Sequence, residues 1–127
     1  MGIVRTGRVL QSEYAEWLAS KYLSLQLAES TIQQDYDATD SMGHTYQIKS
    51  RTVDNLSNTT AFHFGNSIPS FDYLICVFLS PQMKLLGIVE VPHEVGAQLS
   101  RKNQRGFRFR WNKSVANNPK VKKLFGF

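Results

Sequence analysis

The first strong pattern along the chain is helical. Leu10, Tyr14, Trp17, Leu18, Tyr22 and Leu25 recur at offsets of 4, 7, 8, 12 and 15 residues, one face of a 3.6-residue period. Lys21 interrupts that stripe, which its stem tolerates if the amine reaches out to water. At about 100° per residue, Glu13 sits at the border of the stripe and Glu16 points almost directly away. Glu13 is therefore the acid expected to reach inward. A β-hairpin is expected next: residues 35–40 and 45–50 flank Ser41-Met42-Gly43-His44, where Gly43 supplies a positive φ. Residues 51–70 are polar and weakly patterned and read as loop, with room for a short helix. Residues 71–79 read as a buried strand, too short and too rich in β-branched and aromatic residues for a core helix. Pro81-Gln82 turns the chain into a further strand over 84–91, which Pro92 stops, and a short helix is expected over 92–99. Phe107, Arg108, Phe109, Arg110 and Trp111 alternate apolar and basic, the pattern of a half-exposed strand with a basic face. Helix, strands and a short helix in this order predict an α+β domain built on a mixed β-sheet.

A chain of 127 residues, 42% hydrophobic and 20% charged, is expected to form one domain, without repeats or long linkers. Its longest apolar run, Tyr73–Leu79, is far short of the roughly 20 residues of a membrane-spanning helix. Arg5 and Arg8 come before any apolar leader, and the single cysteine, Cys76, lies in an apolar run, so no membrane partner and a cytoplasmic location are expected. Charge changes the picture more. Residues 1–100 hold six basic residues and all ten acids, a net of −4; residues 101–127 hold nine basic residues and no acid, a net of +9. A weakly acidic body with a basic C-terminal segment points to a polyanion partner, nucleic acid above all. A solubilising tail is the alternative from charge alone.

The hairpin carries the chemistry. With the turn centred near Met42, antiparallel partners have position numbers summing to about 84, which puts Asp37 opposite Gln47 and Asp35 opposite Lys49. Asp37, Gln47 and Lys49 then share one face, with Tyr46 and Ile48 on the other. Hard cations such as Mg²⁺ take oxygen ligands, and the Asp37 carboxylate and Gln47 carbonyl offer two. The Lys49 ammonium suits a role in orienting or deprotonating water, or in stabilising charge on a phosphate. Glu13 would complete the metal site.

At these residues the sequence resembles the PD-(D/E)xK nuclease superfamily, the restriction-endonuclease-like fold. The matching stretches are Ser12-Glu13-Tyr14-Ala15-Glu16, Tyr36-Asp37-Ala38-Thr39-Asp40 and Tyr46-Gln47-Ile48-Lys49-Ser50, followed by strand-like Phe71-Asp72-Tyr73-Leu74-Ile75 and Leu85-Leu86-Gly87-Ile88-Val89. The resemblance covers roughly residues 8–95 and rests on order, spacing and surrounding hydrophobicity together. It implies a mixed sheet flanked by helices and Mg²⁺- or Mn²⁺-dependent hydrolysis of phosphodiester bonds in nucleic acid, DNA first. Glu13, Asp37 and Gln47 would be the metal-site residues and Lys49 the catalytic lysine. Gln47 stands where the pattern has Asp or Glu; its amide brings an oxygen without a charge, so metal affinity should be weaker. Among the hairpin aspartates, Asp37 fits the register best, Asp35 shares its chemistry, and Asp40 suits the turn. Arg51, Arg101, Lys102, Arg105, Arg108, Arg110 and Lys113 are the expected nucleic-acid contacts, with the aromatic residues of 107–111 either stacking bases or packing a sheet. A homodimer is expected if a duplex is cut. His44, His63 and His93 lack ligand spacing and read as surface or packing residues. The alternatives are a module of the same fold that binds nucleic acid without cleaving it, and an interaction domain whose basic end binds an acidic protein.

Overall fold

The computed structural model describes residues 7–28 and 36–127. Helix α1 (Gly7–Leu23) ends at Ser24, whose φ of 54° lets the Leu25 amide donate back to the Ser20 carbonyl at 3.0 Å. That bond satisfies one of the carbonyls a helix end leaves unpaired and turns Leu25 into the core. The face α1 buries is not the aromatic stripe. Ala15, Leu18 and Ala19 are buried, whereas Leu10, Trp17 and Tyr22 are each about half exposed. Small side chains at the contact let the helix axis approach the sheet more closely than rings would. Recentring the buried face on Ala15 and Ala19 brings Glu16 to its flank and leaves Glu13 exposed, the reverse of the expected orientation.

Strands β1 (Gln26–Leu27) and β2 (Ala38–Thr39) pair with each other, and β2 pairs antiparallel with β3 (Thr45–Thr52). The β2–β3 partners sum to 84 (38 with 46, 39 with 45), the expected register, and Gly43 takes a φ of 88° in the turn. Asp40 anchors that turn. Its Oδ1 accepts the Met42 and His44 amides, and its Oδ2 receives the Tyr46 hydroxyl and meets the His44 ring at 2.9 Å. Asp35 lies outside the described residues.

Strand β4 (Thr60–Gly65) occupies the segment expected to be loop. Strand β5 (Tyr73–Leu79) then runs parallel to β3, β6 (Leu85–Pro92) antiparallel to β5, and β9 (Lys122–Phe125) antiparallel to β6. The result is a six-stranded mixed sheet in the order β1-β2-β3-β5-β6-β9. Helix α2 (His93–Leu99) leads from it into β7 (Ser100–Asn103) and β8 (Gly106–Trp111), and β4 joins these in a second, three-stranded sheet in the order β4-β8-β7. Helix α3 (Lys113–Ala116) follows β8 and is capped by Asn112, whose side chain accepts the Val115 amide at 3.0 Å.

The large sheet is covered differently on its two faces. Helix α1 packs on Tyr46, Ile48, Ile75, Val77 and Ile88. On the other face, Phe62, Phe64, Phe109 and Trp111 of the second sheet pack on Leu74, Cys76 and Phe78, joined by Val95 of α2 and Val115 of α3. The fold is thus mixed α+β, but the expected sheet flanked by helices has a helix as the main cover on one face only; a second sheet replaces it on the other. The aromatic residues of 106–111 are core, not an exposed stacking surface: Phe109 and Trp111 are buried, and Phe107 is half-buried against the same cluster. The basic segment 101–127 is no tail, since it supplies β7, β8, α3 and β9. No helix among the described residues is long and apolar enough to cross a membrane.

Candidate functional site

Strand β2 is only two residues long, so its pairing with β3 ends at Tyr46 and leaves the next stretch of the β3 edge without a strand neighbour among the described residues. Asp37, the residue just before β2, closes the gap. Its Oδ2 accepts the Ile48 backbone N–H at 2.8 Å and the Gln47 side-chain amide at 3.1 Å. The carboxylate thereby satisfies an edge N–H that would otherwise want water or another strand. Gln47 and Lys49 lie on the same face of β3, in register with Leu74 and Cys76 of β5, and that face looks toward the second sheet. The Lys49 Nζ rests 5.5 Å from the centre of the Phe64 ring.

From the other side comes α1. Gln11 ties the helix to β3, donating to the Ser50 hydroxyl at 3.1 Å and accepting from the Thr52 hydroxyl at 2.8 Å. One turn further on, Ser12 and Glu16 line a cleft of about 270 Å³ together with Asp37, Gln47, Lys49 and Ser50. Of the four residues singled out by the sequence, three line this cleft. Glu13 does not line it; Glu16 does. The electrostatics fit that placement. Burial, then the charges of Asp37 and Glu13, push the Glu16 carboxyl up to about 7. Burial also raises Asp37, against the Ile48 amide and the Lys49 charge that favour its ionised form. Burial lowers Lys49, against the Asp37 charge that favours its ammonium. Two half-buried carboxylates, the charge of Asp37 raising Glu16, stand with an amide and an amine beside them in one oxygen-rich site.

Comparison of the sequence with protein-family models and with curated proteins finds no match.

The basic residues divide into groups. Arg51 leaves β3 just beyond the cleft and donates its Nε to the Thr60 hydroxyl at 3.2 Å. Across the second sheet, His63 of β4 stands opposite Arg108 of β8, which stands opposite Arg101 of β7. Arg110 lies on the same outward face, two residues along from Arg108. Partial desolvation first, then Arg51, Arg108, Lys49 and Arg105, hold the His63 imidazole below its usual range. Four cations, Arg51, Arg108, Lys49 and Arg105, thus share one neighbourhood with His63 beside the cleft. Lys102 faces the other way, its Nζ 5.7 Å from the centre of the Phe107 ring, and Lys113 lies on α3 beside Trp111 and Phe127. Neither joins that group.

Two residues emerge that the sequence reading passed over. Glu16 was hidden by choosing the aromatic stripe as the buried face; Ala15 and Ala19 carry the signal. His63 was hidden by reading its segment as loop, although Phe62 and Phe64 alternate with Ala61 and His63 as a half-buried strand does.

Proposed function

We propose that the protein is a metal-dependent nuclease that hydrolyses phosphodiester bonds of nucleic acid, of the PD-(D/E)xK type that Asp37 and the Gln47-Ile48-Lys49 run resemble. One observation carries the reading: Glu16, Asp37, Gln47 and Lys49, drawn from a helix, a strand end and a neighbouring strand, line one cleft beside a basic surface. Chains that merely solvate an edge strand have no reason to bring two half-buried carboxylates together.

Glu16 and Asp37 would hold Mg²⁺ or Mn²⁺, with the Gln47 carbonyl turned toward it. The donor set fits a hard cation, since both carboxylates are raised by burial and Glu16 also by the Asp37 charge, a cost that a positive ion removes. When bound, such an ion supplies Lewis acidity and charge neutralisation at the phosphate. Asp37, fixed by two hydrogen bonds, keeps its free oxygen aimed into the cleft rather than swinging. Lys49 brings a cation to the phosphate oxygens, where negative charge grows as water adds to phosphorus and the ester bond breaks. Its packing on Phe64 restrains the stem and keeps Nζ at the cleft wall. The PD-(D/E)xK role given to Glu13 passes to Glu16 in this reading.

Purified protein incubated with plasmid, single-stranded DNA and RNA is expected to cleave at least one of them with Mg²⁺ or Mn²⁺ and none with EDTA. Asp37→Asn and Lys49→Ala should each lower the rate by about 100-fold or more. Glu16→Gln should cost more than Glu13→Gln. Cleavage that survives both Asp37→Asn and Lys49→Ala sinks the site. Salt-dependent binding to nucleic acid with no cleavage under any metal would instead favour the non-catalytic module.

A further inference from the structure

The carboxylate–lysine cleft does not end at Ser50. A second cleft of about 270 Å³ shares Ser12 and Ser50 with it and adds Gln11, Arg51 and Thr52. A third, of about 340 Å³, shares Arg51 and Thr52 with the second and runs on past Asn58 and Thr59 to Thr60. The three are continuous and follow the unpaired edge of β3 from Gln47 to Val53, about 20 Å at the rise of an extended strand. The groove is polar along its length. Beyond the cleft it is lined by hydroxyls, side-chain amides, the Arg51 guanidinium and the Asp54 carboxylate; among the described residues, Val53 is its one apolar side chain, and it is buried. Among the described residues no aromatic ring lines the groove, and the buried rings of β4 and β8 belong to the core.

Resting on the nuclease reading, we infer that one strand of the nucleic acid lies along this groove, running from the cleft past Arg51 to Thr60 and held by its sugar–phosphate backbone rather than its bases. Three features commit the groove to that occupant. It is continuous with the cleft where the ester is cut. Arg51 stands midway, shared by two of the three segments, and commits its Nε to Thr60, which fixes the guanidinium plane across the groove while its fork offers further donors. The charges of Arg51, Arg108, Lys49 and Arg105 all reach His63, which places these four cations on one side of the molecule, and one acid, Asp54, lines the groove at its far end. Strands held through bases need stacking platforms, and none lines this path. Binding is therefore expected to be strongly salt-dependent and indifferent to base sequence.

The test uses the full chain in EDTA, where binding is read without cleavage. By fluorescence anisotropy with labelled oligonucleotides, Arg51→Ala is expected to weaken binding about five- to tenfold and lower the log–log salt slope by about one. Arg51→Lys should recover part of the loss, and oligonucleotides of different sequence should bind within about twofold of one another. Cys76 is fully buried and its thiol is pushed up by burial, so a surface cysteine can be labelled selectively. A photoreactive group on Thr59→Cys, at the far end of the groove, should crosslink the oligonucleotide several-fold better than the same group on Lys123→Cys, on the opposite edge strand. Unaltered binding by a folded Arg51→Ala protein, or equal crosslinking from the two positions, overturns the groove assignment even if the protein cleaves. Groove crosslinking without cleavage in Mg²⁺ or Mn²⁺ overturns the nuclease reading and leaves the groove standing. Binding to no nucleic acid at all overturns both.

Discussion

At the scale of single residues, the proton content of the cleft is the property most open to measurement. Glu16 titrates at about 7 in the folded chain against an ordinary value of 4.5. The folded state therefore holds that proton more tightly than the unfolded one. Folding loses stability as pH rises from about 4.5 to about 7, and the loss is complete above that. Glu16→Gln removes the penalty. Its melting temperature should match the parent near pH 4.5 and exceed it by a few degrees at pH 8, on the order of 1 kcal/mol, screened because the carboxyl is only about half buried. Thermal melts across that range check it, and a Glu16→Gln protein no more stable at pH 8 than the parent would show that burial and neighbouring charge do not disfavour the Glu16 carboxylate. In the nuclease reading a metal ion competes with that proton, so the metal concentration needed for cleavage should fall as pH rises toward about 7. This scale also shows where sequence reasoning stops. Asp37, Gln47 and Lys49 were legible because a hairpin's register follows from its turn. The large side chains of α1 point to Glu13 rather than Glu16, whereas close packing on the sheet buries two alanines, Ala15 and Ala19, and leaves Trp17 and Tyr22 half exposed.

At the scale of elements, strands bounded by turn residues were the most legible. The buried run that became β5, its neighbour β6, the short helix α2 and the basic-faced β8 all stand close to where pattern placed them. Those missed are short or interrupted. Strand β4 hides inside a segment rich in Asn, Ser and Thr, and β9 inside a basic stretch whose composition drew attention to charge instead of pairing. What seats β4 on β8 is a pair of glycines. Pairing shifts register between His63 and Gly65, and Gly106 sits at a φ of 116° with the Gly65 backbone where a Cβ would go. A methyl at 106 would meet that carbonyl and force an L residue into a conformation it avoids. Gly106→Ala should therefore cost about 3 kcal/mol, several times what the same change costs at an ordinary site, and chemical denaturation reads it directly. A loss under about 1 kcal/mol would mean that the pairing of β4 with β8 is not fixed by this contact.

For the whole molecule, the charge asymmetry resolves into two ends with different work. Arg105 and Arg108 of the second sheet lie on the side of His63 and the cleft, whereas Lys120, Lys122 and Lys123 sit at or beside the opposite edge of the large sheet. Two of those lysines meet acids of their own: Lys120 reaches Glu94 at 3.0 Å and Lys122 comes within 3.9 Å of Glu90. Neutralising all three should leave affinity for DNA within about twofold at moderate salt. Replacing Arg105 and Arg108 together should weaken it by about tenfold or more and cut the salt slope by about two. Titrations at several salt concentrations separate the two outcomes, and a larger loss from the lysine set would place the nucleic acid on the other side of the molecule. Net charge points to a polyanion partner but not to a side of the molecule, because a one-dimensional count cannot distinguish a strand of one sheet from an edge of another.

Strand β4 has a further consequence, for how the chain reaches this state. It is made early but, among the described residues, finds its one strand partner in β8, some forty residues later in the sequence. Until that partner arrives, Phe62 and Phe64 have no sheet to hold them, and Leu74, Cys76 and Phe78 have no layer above them. Loop closure must come before the contacts that reward it, so the meeting of these two distant strands is expected to be slower than formation of the hairpin that builds the cleft. On a ribosome, the carboxylates and lysine are synthesised well before the second sheet exists to lock the strand that carries them. In the nuclease reading, catalytic competence would therefore be a late event, conferred by the segment that also carries the arginines.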